Sequence, residues 1–357
     1  MGDVKPDLAS VISKILEDFI PDFKKSIEEM NTQITPVSKI KFDEFAPKNW
    51  SEYIGQNRIK SIIQDAIKSA KIRKSPLDHI LLISSMPGQG KTSLARLIAK
   101  EMKSPFFNIT ASSIEKPDEI IKLLRDAFEY EHSIIFIDEI HRLKKGLAEL
   151  LYVPMENFNS EITIPKFLQK PLFVKPFTLI GATAGEQGLL PKPLLDRFSI
   201  TLIFDSYTIT DLIKIIQKNA KKLSISINKT IAQEIAQRSL FTPRIAINHL
   251  KRIRDYLITH KKSLTKNALN QIFEKLGIDE LGLDNNARIL LKVIYNQTKN
   301  KGAVGLETLA KLTGLDKTTI SKMYEPILIK LGLLEFTNKG RMITEKGEMF
   351  LKAKGLI

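Results

Sequence analysis

No cysteine occurs among the 357 residues, so the chain can form neither disulfide bonds nor thiolate metal sites. No apolar run approaches the roughly 18 residues of a membrane-spanning helix, and the first residues lack the pattern of a signal peptide. We therefore expect a soluble, cytoplasmic protein. Its length suffices for two or three domains, each with its own apolar core.

The excess of basic residues is concentrated in one half of the chain. The formal net charge is +15, yet residues 1–204 hold 28 Lys and Arg against 26 Asp and Glu, whereas residues 205–357 hold 27 against 14. A general bias towards lysine is the alternative explanation, but such a bias would spread the excess evenly. The C-terminal half is therefore predicted to contact a polyanion, with nucleic acid as the natural partner.

Two apolar segments run into polar motifs. The first, His79–Ser85, leads into Met86-Pro87-Gly88-Gln89-Gly90-Lys91-Thr92, and the second begins at Ile134 and ends in Asp138 and Glu139. A strand followed by a glycine-rich loop and a helix presents backbone N–H groups to phosphate oxygens. The two motifs together predict a nucleoside-triphosphate site, which makes ATP hydrolysis the leading hypothesis.

Four of these residues have predicted chemical roles. Lys91 is expected to reach the β- and γ-phosphates, and the Thr92 hydroxyl is expected to ligate Mg²⁺. Asp138 should lie near the same Mg²⁺, and Glu139 should polarise the attacking water. The alternative for the two adjacent carboxylates is that they cap a following helix.

Four parts follow one another along the chain. Residues 1–42 combine an apolar periodicity of helical spacing at 7–30 with a polar linker, and residues 43–204 alternate strands with helices. Residues 205–284 are expected to be all-helical, and residues 285–357 form a further domain. The alternation predicts an α/β fold with a mostly parallel sheet between helices. The predicted strands are His79–Ser85, Pro105–Thr110, Ser133–Asp138, Phe177–Thr183 and Ile200–Asp205.

The C-terminal domain has the pattern of a winged helix. Its helices are predicted at Ala287–Tyr295, Leu306–Leu312 and Lys317–Lys330. Two short strands, Leu333–Phe336 and Arg341–Thr344, flank the turn at Asn338-Lys339-Gly340. A winged helix binds DNA or, as the alternative, another protein.

Several strings, in order from about residue 43 to the C-terminus, resemble the RuvB family of bacterial AAA+ motors for Holliday-junction branch migration. They are Tyr53-Ile54-Gly55-Gln56, Leu77-Asp78-His79, Phe136 to Leu143, Pro154-Met155-Glu156-Asn157-Phe158, Pro176 to Thr183, Leu194 to Phe198, Thr242-Pro243-Arg244 and Glu325-Pro326. The resemblance implies an α/β AAA+ P-loop NTPase domain, an all-helical lid domain and a C-terminal winged-helix domain. It also implies ATP-driven translocation of DNA in recombination and repair, with ATP and Mg²⁺ as cofactors.

The resemblance assigns further roles at the nucleotide. Thr183 matches sensor 1, a polar residue that reads the γ-phosphate or orients water, and Arg244 matches sensor 2 in the lid. Arg197 matches the arginine finger, which stabilises charge on the nucleotide of a neighbouring subunit. The other candidate nucleotide contacts, from the loop and from the family's motifs, are Tyr53, Ile54, Gly88, Gly90, Ser93, Glu156, Asn157, Phe158 and Tyr207.

The resemblance also implies partners. A finger acting in trans requires an assembly, and the family pattern is a hexameric ring around duplex DNA. At the wing, Lys339 and Arg341 match phosphate contacts, with Arg288 as a further candidate, and such contacts position a protein without reading sequence. The implied partners are double-stranded DNA at four-way junctions, a RuvA-like junction-binding protein that docks on the hairpin between residues 162 and 176, and a RuvC-like resolvase.

The chain departs from the family pattern at several positions. Ser85 replaces the first glycine of the phosphate loop, Ala46 replaces an arginine near the nucleotide, and Ala184-Gly185-Glu186 replaces the threonine and arginine after Thr183. We expect the nucleotide chemistry to be kept, because none of these changes removes Lys91, Asp138 or Glu139.

The hairpin also departs from the pattern. Its tip lacks the family's glycine and arginine, and Phe167 and Leu168 there would insert into a partner groove or pack on a neighbouring subunit. We therefore expect the partner-facing surface to have diverged.

Two other functions remain open at this stage. One is an AAA+ loader or initiator switch that hydrolyses ATP once per loading event, which slow and non-processive turnover would favour. The other is a nucleotide-dependent DNA-binding scaffold with little catalysis. Only Ser85 and Ala46 favour the scaffold.

Overall fold

The structure is a computed structural model that describes residues 44–162, 171–185, 188 and 190–357. These residues divide into two compact units. The first, called here the sheet unit, comprises residues 61–82 and 94–202, and the second, the lid–wing unit, comprises residues 44–60, 83–93 and 203–357. The helix predicted within residues 7–30, and Phe167 and Leu168 of the hairpin tip, lie outside the described residues.

The central sheet is built mainly from buried, apolar strands. In chain order the strands up to residue 203 are β1 (Ile80–Ser84), β2 (Phe106–Thr110), β3 (Ser133–Asp138), β4 (Ser160–Ile162), β5 (Leu172–Val174), β6 (Phe177–Ala184) and β7 (Ile200–Ile203). The sheet order is β2-β3-β6-β1-β7, and β3 pairs in parallel with both β2 and β6. β1 is buried throughout, as are β3 and β6 apart from their last residues, which is typical of a sheet covered on both faces. This confirms the predicted parallel α/β fold.

Helices connect these strands, and a short antiparallel hairpin, β4–β5, stands apart from the main sheet. The helices are α1 (Asn57–Arg73), α2 (Lys91–Met102), α3 (Pro117–Phe128), α4 (Lys145–Glu156) and α5 (Lys192–Leu195). Gly181 on β6 makes room for the turn that follows β3. A Cβ at Gly181 would lie 2.9 Å from Cδ1 of Ile140 and 3.0 Å from Cζ of Phe198. Any side chain there would therefore require the side chains of Ile140 and Phe198 to shift.

The first part of the lid–wing unit after β7 is all-helical, as predicted. Its helices are α6 (Ile209–Lys222), α7 (Lys229–Gln237), α8 (Pro243–His260) and α9 (Lys266–Lys275). Polar N-caps begin three of them, with the side chains of Thr208, Asn228 and Thr265 accepting a backbone N–H from the first turn. Apolar residues at helical spacing, including Leu212, Ile216, Ile235 and Leu250, form their shared core.

The C-terminal part is a winged helix, in which the first helix is eight residues longer than predicted and the other predicted elements differ by at most one residue at either end. Its elements are α10 (Asn285–Lys301), α11 (Leu306–Thr313), α12 (Lys317–Thr319, continuing through Ile320–Tyr324 to Glu325–Lys330), β8 (Leu334–Thr337), β9 (Gly340–Ile343) and α13 (Glu345–Ala353). β8 and β9 form the antiparallel wing. A π-turn interrupts α12 at Ile320–Tyr324, where the Glu325 N–H bonds the carbonyl of Ile320. The wider turn lies just before Pro326, whose ring is not compatible with a regular preceding turn.

No helix in the described part of the chain is both long enough and apolar enough to cross a lipid bilayer.

Candidate nucleotide and DNA sites

The phosphate loop has a backbone that requires its glycines. Gly88 and Gly90 have φ values of 81° and 94°, a region that residues with a Cβ rarely adopt. A Cβ on Gly88 would lie 2.8 Å from Cβ of Arg244, and one on Gly90 would lie 3.1 Å from the Tyr53 hydroxyl. Both glycines are thus needed for conformation and for space, and the loop lies directly against the predicted sensor 2 residue.

Lys91 is positioned by a short network within the lid–wing unit. It begins α2, is 8% exposed, and its Nζ donates to Ser84 Oγ at 2.5 Å. Ser84 in turn donates to the carbonyl of Met86 at 2.7 Å. Thr92 and Ser93 follow, half-buried, in the first turn of α2. A lysine at a helix N-terminus beside glycine backbone N–H groups is the arrangement that receives phosphates.

Two buried tyrosines support the loop from the other side. Tyr53 and Tyr207 are 3% and 5% exposed, and the Tyr53 hydroxyl donates to the carbonyl of Gly90 at 3.2 Å. The two side chains also hydrogen-bond each other, and burial raises the pKa of both phenols. Both therefore remain uncharged at physiological pH. They line a cleft together with Phe45, Pro47, Ile54 and Pro243, a mostly apolar wall suited to a nucleotide base.

Lysines of the lid hold the segment that carries Tyr53 and Ile54. Lys218 on α6 donates to the carbonyl of Glu52 at 3.0 Å and pairs with its carboxylate at 2.8 Å. This hydrogen bond with Lys218, with a further one from the Lys48 backbone, lowers the pKa of Glu52 to about 2. Lys222 donates to the carbonyl of Glu44 at 2.8 Å. Sequence reasoning missed these contacts, because Glu52 and Lys218 lie 166 residues apart and neither belongs to a motif.

We predict that Glu52→Gln raises the KM for ATP by about 3- to 10-fold, since a weakened ion pair with Lys218 leaves the segment with Tyr53 and Ile54, which is predicted to contact the base, less ordered. The turnover number should change little, because Glu52 is not among the residues predicted to contact the phosphates. Glu44→Gln is the matched control, since it keeps the backbone carbonyl of Glu44 that accepts the hydrogen bond from Lys222. Steady-state ATP hydrolysis measures both variants, and an equal KM in wild type and Glu52→Gln would disprove the role.

The lowered pKa of Glu52 also predicts how the effect of Glu52→Gln on the KM for ATP depends on pH. A depressed carboxyl pKa stabilises the folded segment above the ordinary value of 4.5, and this contribution is lost only as the pH falls towards about 2. The Glu52 carboxylate therefore stays ionised above pH 4.5, and the KM difference between wild type and Glu52→Gln should be constant across the neutral range.

In the sheet unit, Asp138 and Glu139 follow β3 in an unusual backbone. Glu139 has a φ of 51°, and its N–H donates to Oδ1 of Asp138 at 3.0 Å. A non-glycine residue in this region is uncommon and occurs most often at functional sites. The Glu139 side chain is 41% exposed and meets Arg142 at 3.3 Å, an exposed pair that contributes little to stability. Its carboxylate is thus held loosely.

The predicted sensor 1 residue is buried beside a histidine. Thr183 lies on β6, is 1% exposed, and its Oγ1 is 2.9 Å from Nδ1 of His141. His141 follows Glu139 by two residues, in the turn that Gly181 accommodates. This hydrogen bond gives the hydroxyl a defined direction. The sequence contains His141 within the family string but carries no sign of the contact.

The predicted arginine finger is engaged within its own sheet unit. Arg197 pairs with Glu156 at 3.0 Å, donates to the carbonyls of Tyr152 at 3.2 Å and Pro193 at 2.6 Å, and its guanidinium lies 4.6 Å from the centre of the Tyr152 ring. Its side chain is only 19% exposed.

Glu156 is the member of the Glu156-Asn157-Phe158 string that contacts the finger. Asn157 closes α4, where its Nδ2 donates to the carbonyl of Val153. Phe158 packs against the rings of His79 and Phe177.

The three DNA-binding candidates differ in their surroundings. Lys339 is exposed at the wing turn. Arg341 instead forms two hydrogen bonds, at 2.7 and 3.1 Å, with Glu325, whose side chain is 3% exposed, and its guanidinium lies 4.9 Å from the Phe336 ring centre. Arg288 pairs with Asp279 at 3.4 Å and donates to the carbonyls of Leu283 and Gly277. Arg288 and Arg341 thus each form an ion pair within the protein, whereas the Lys339 side chain is exposed, and contact of all three with DNA stays a prediction.

The buried pair carries a stability prediction. Glu325→Ala should lower the free energy of unfolding by about 3 kcal/mol, because it leaves the Arg341 guanidinium, which is 16% exposed, without its buried partner. Glu307→Ala is the matched control, since Glu307 forms exposed pairs with Lys311 and Lys317 at 3.8 Å, and its loss should cost less than about 1 kcal/mol. Urea unfolding of the full chain measures both changes, and equal losses would contradict a buried, structural pair.

Comparison with known proteins gives a consistent result along the described chain. The model of the Holliday junction DNA helicase RuvB P-loop domain matches residues 45–204, that of the RuvB AAA lid domain matches 207–279, and that of the RuvB C-terminal winged helix domain matches 280–352.

Individual relatives and solved structures agree. The Holliday junction branch migration complex subunit RuvB of Fusobacterium nucleatum is 40% identical over 310 residues, which cover 86% of this chain and 92% of that protein. The Thermotoga maritima protein of the same name is 39% identical over 310 residues, covering 86% and 91%. A solved structure named Thermotoga maritima RuvB Holliday junction branch migration motor superposes with a TM-score of 0.76 at 38% identity, covering 87% of this chain and 98% of that one.

Proposed function

The chain belongs to the RuvB family, and we propose that it is an ATP-driven motor that moves duplex DNA through four-way junctions during recombination and repair. One observation carries the nucleotide part of this proposal. The phosphate loop combines two glycines in conformations that need glycine, a lysine at a helix N-terminus, and Arg244 packed on Gly88. A strand followed by a helix does not by itself require these three features together.

The residues of the two motifs fit ATP and Mg²⁺. Bound Mg²⁺ would neutralise charge on the phosphates, and Thr92 and Asp138 are the oxygen ligands that we assign to it. Lys91 holds the β- and γ-phosphates, having exchanged its Ser84 partner for phosphate oxygens. Glu139 takes a proton from the attacking water, for which its loosely held, exposed carboxylate is suited. Thr183, directed by His141, orients that water or reads the γ-phosphate.

We assign Arg197 to the nucleotide of a neighbouring subunit in a hexameric ring. To reach it, Arg197 must exchange its contact with Glu156 for the phosphate charge. Glu156 is 55% exposed, so the exchange does not open a buried ion pair. Tyr152, beneath the guanidinium, keeps the side chain extended while it changes partner.

This assignment predicts complementation between two inactive variants. Arg197→Ala should lower ATP turnover by about 1,000-fold or more, since an arginine finger contributes 10³ to 10⁵ in comparable enzymes. Mixing Arg197→Ala with Glu139→Gln subunits should restore part of the turnover, because some interfaces then combine an intact finger with an intact Glu139. Mixing Arg197→Ala with Lys91→Ala tests the same point. Failure of every mixing ratio to restore turnover would disprove a finger acting in trans.

The DNA part of the proposal rests on the winged helix and its charge. Residues 205–357 hold 27 basic against 14 acidic residues, and Lys339 at the wing turn supplies a phosphate contact that does not depend on sequence. The β4–β5 hairpin, where Phe173 is 49% exposed, is the surface that we assign to a RuvA-like junction-binding partner. We place the motor in the cytoplasm, with a RuvC-like resolvase acting on the same junctions.

A junction assay tests this function. Purified protein, a RuvA protein and a labelled synthetic four-way junction should yield duplex products with ATP, but none with a non-hydrolysable ATP analogue. Lys91→Ala should yield none with either nucleotide, whereas Lys100→Ala, on the exposed last turn of α2, should behave as wild type. An intact junction after ATP turnover would contradict the proposal and favour a loader or switch.

A further inference from the structure

The phosphate loop is packed into the winged-helix core. Residues 83–93 belong to the lid–wing unit, and Met86 in the loop is 7% exposed. Met86 lies in the same buried apolar cluster as the winged-helix residues Leu290, Leu328 and Leu333. Since protein interiors are close-packed, the loop cannot shift at Met86 without changing the packing of that cluster.

Gln89 links the same loop to the start of the lid helix α8. It is 2% exposed, and its Nε2 donates to the carbonyl of Phe241 at 3.4 Å. Its Oε1 is buried and has no hydrogen-bond partner among the residues that the structure describes. A buried amide oxygen without a hydrogen-bond partner costs free energy, so the neighbouring packing must hold Gln89 in this position. A movement that gives the oxygen a partner lowers the free energy.

The turn that Gln89 contacts is strained. Leu240 and Phe241 have consecutive positive φ values of 48° and 58°, which are costly for bulky side chains. Strain of this kind persists only where the surroundings impose it. Here the Gln89 side chain donates a hydrogen bond to the carbonyl of Phe241, and Nζ of Lys330 on α12 lies 3.8 Å from the centre of the Phe241 ring. Leu240 packs against the winged-helix cluster.

The strained turn leads directly into the sensor 2 residue. Thr242 and Arg244, just after it, are the residues against which Gly88 packs, at 3.0 and 2.8 Å from a Cβ built there. The phosphate loop therefore contacts both the base of the lid helix and the winged-helix core. A change of loop position on nucleotide binding alters both contacts, and a change of the winged helix on DNA binding alters the loop.

We propose that Met86, Gln89 and the turn at Leu240–Phe241 are positioning residues that couple the nucleotide site of a subunit to its own DNA-binding domain. Through them, ATP and duplex DNA change each other's affinity by the same factor, as thermodynamic linkage requires. The inference rests on the proposed function, since it needs both ligands to bind, and it adds the route by which they communicate.

Titration calorimetry on the full chain tests the coupling. The affinity for adenylyl imidodiphosphate is measured with and without saturating blunt duplex DNA, and the affinity for the duplex is measured with and without the analogue, all at one salt concentration. We expect each ligand to change the affinity of the other by about 5-fold or more, by the same factor in both directions. A factor of one in the wild type would overturn the inference while leaving the proposed function intact. Absence of binding by either ligand alone would overturn both.

Two variants test the route. Met86→Ala withdraws the loop from the winged-helix cluster, and Phe241→Gly removes the ring and relieves the strain of the positive φ. Each should reduce the coupling factor to less than about 2-fold while both ligands still bind. Met349→Ala, a methionine of α13 that is 70% exposed, is the matched control and should keep the wild-type factor. Wild-type coupling in both Met86→Ala and Phe241→Gly would overturn the assigned route.

Discussion

Lys91→Ala is expected to weaken ATP binding by about 10- to 140-fold, since a charge-assisted hydrogen bond to phosphate contributes about 1.5–3 kcal/mol and no other lysine in the loop replaces it. The contact of Lys91 with Ser84 shows that the ammonium is already held at the loop. Isothermal titration with ATP in the absence of hydrolysis measures the loss directly.

The control for Lys91→Ala lies on the same helix. Lys100, in the exposed last turn of α2, contributes the same side chain without proximity to the glycines, and Lys100→Ala should bind ATP as the wild type does. Wild-type ATP affinity in Lys91→Ala would contradict the assignment of this loop as the phosphate-binding loop. A loss of affinity in both variants would indicate damage to α2 rather than loss of a ligand.

Glu139→Gln should keep ATP affinity but lower turnover by about 100- to 10,000-fold, because an amide cannot take the proton of the attacking water. The side chain is partly exposed and its pair with Arg142 is weak, so the fold should not change. Single-turnover hydrolysis separates the chemical step from binding. Glu149→Gln, an exposed carboxylate on α4, is the control and should turn over normally. Undiminished turnover in Glu139→Gln would show that Glu139 is not the general base.

The strands and the two nucleotide motifs are predictable because local pattern determines them. β1, β3 and β6 are continuous apolar runs, and a sheet buried on both faces demands such runs wherever they fall in the chain. Lys91, Asp138 and Glu139 are recognisable because their chemistry depends on spacing along a strand or loop. The winged helix follows in the same way from helical periodicity, the capping residue Asp316 and the wing turn.

The partners of individual side chains are not predictable, because they come from distant parts of the chain. The sequence predicts a phosphate contact for Arg341 but does not show that Glu325 pairs with it once the wing folds back on α12. Arg197 meets Glu156 only because α4 and α5 pack together, and Glu52 meets Lys218 across 166 residues. The π-turn in α12 is a similar case: Pro326 signals a disturbance of the helix, but not that a wider turn rather than a break would absorb it.

Steady-state ATP hydrolysis by the purified full chain, with and without duplex or four-way-junction DNA, tests the central claim most directly. A DNA translocase should hydrolyse ATP slowly alone and several-fold faster with DNA, and the stimulation should disappear in Lys91→Ala. Measurable ATP binding with no hydrolysis in either condition would contradict an autonomous motor and leave a nucleotide-dependent DNA-binding switch.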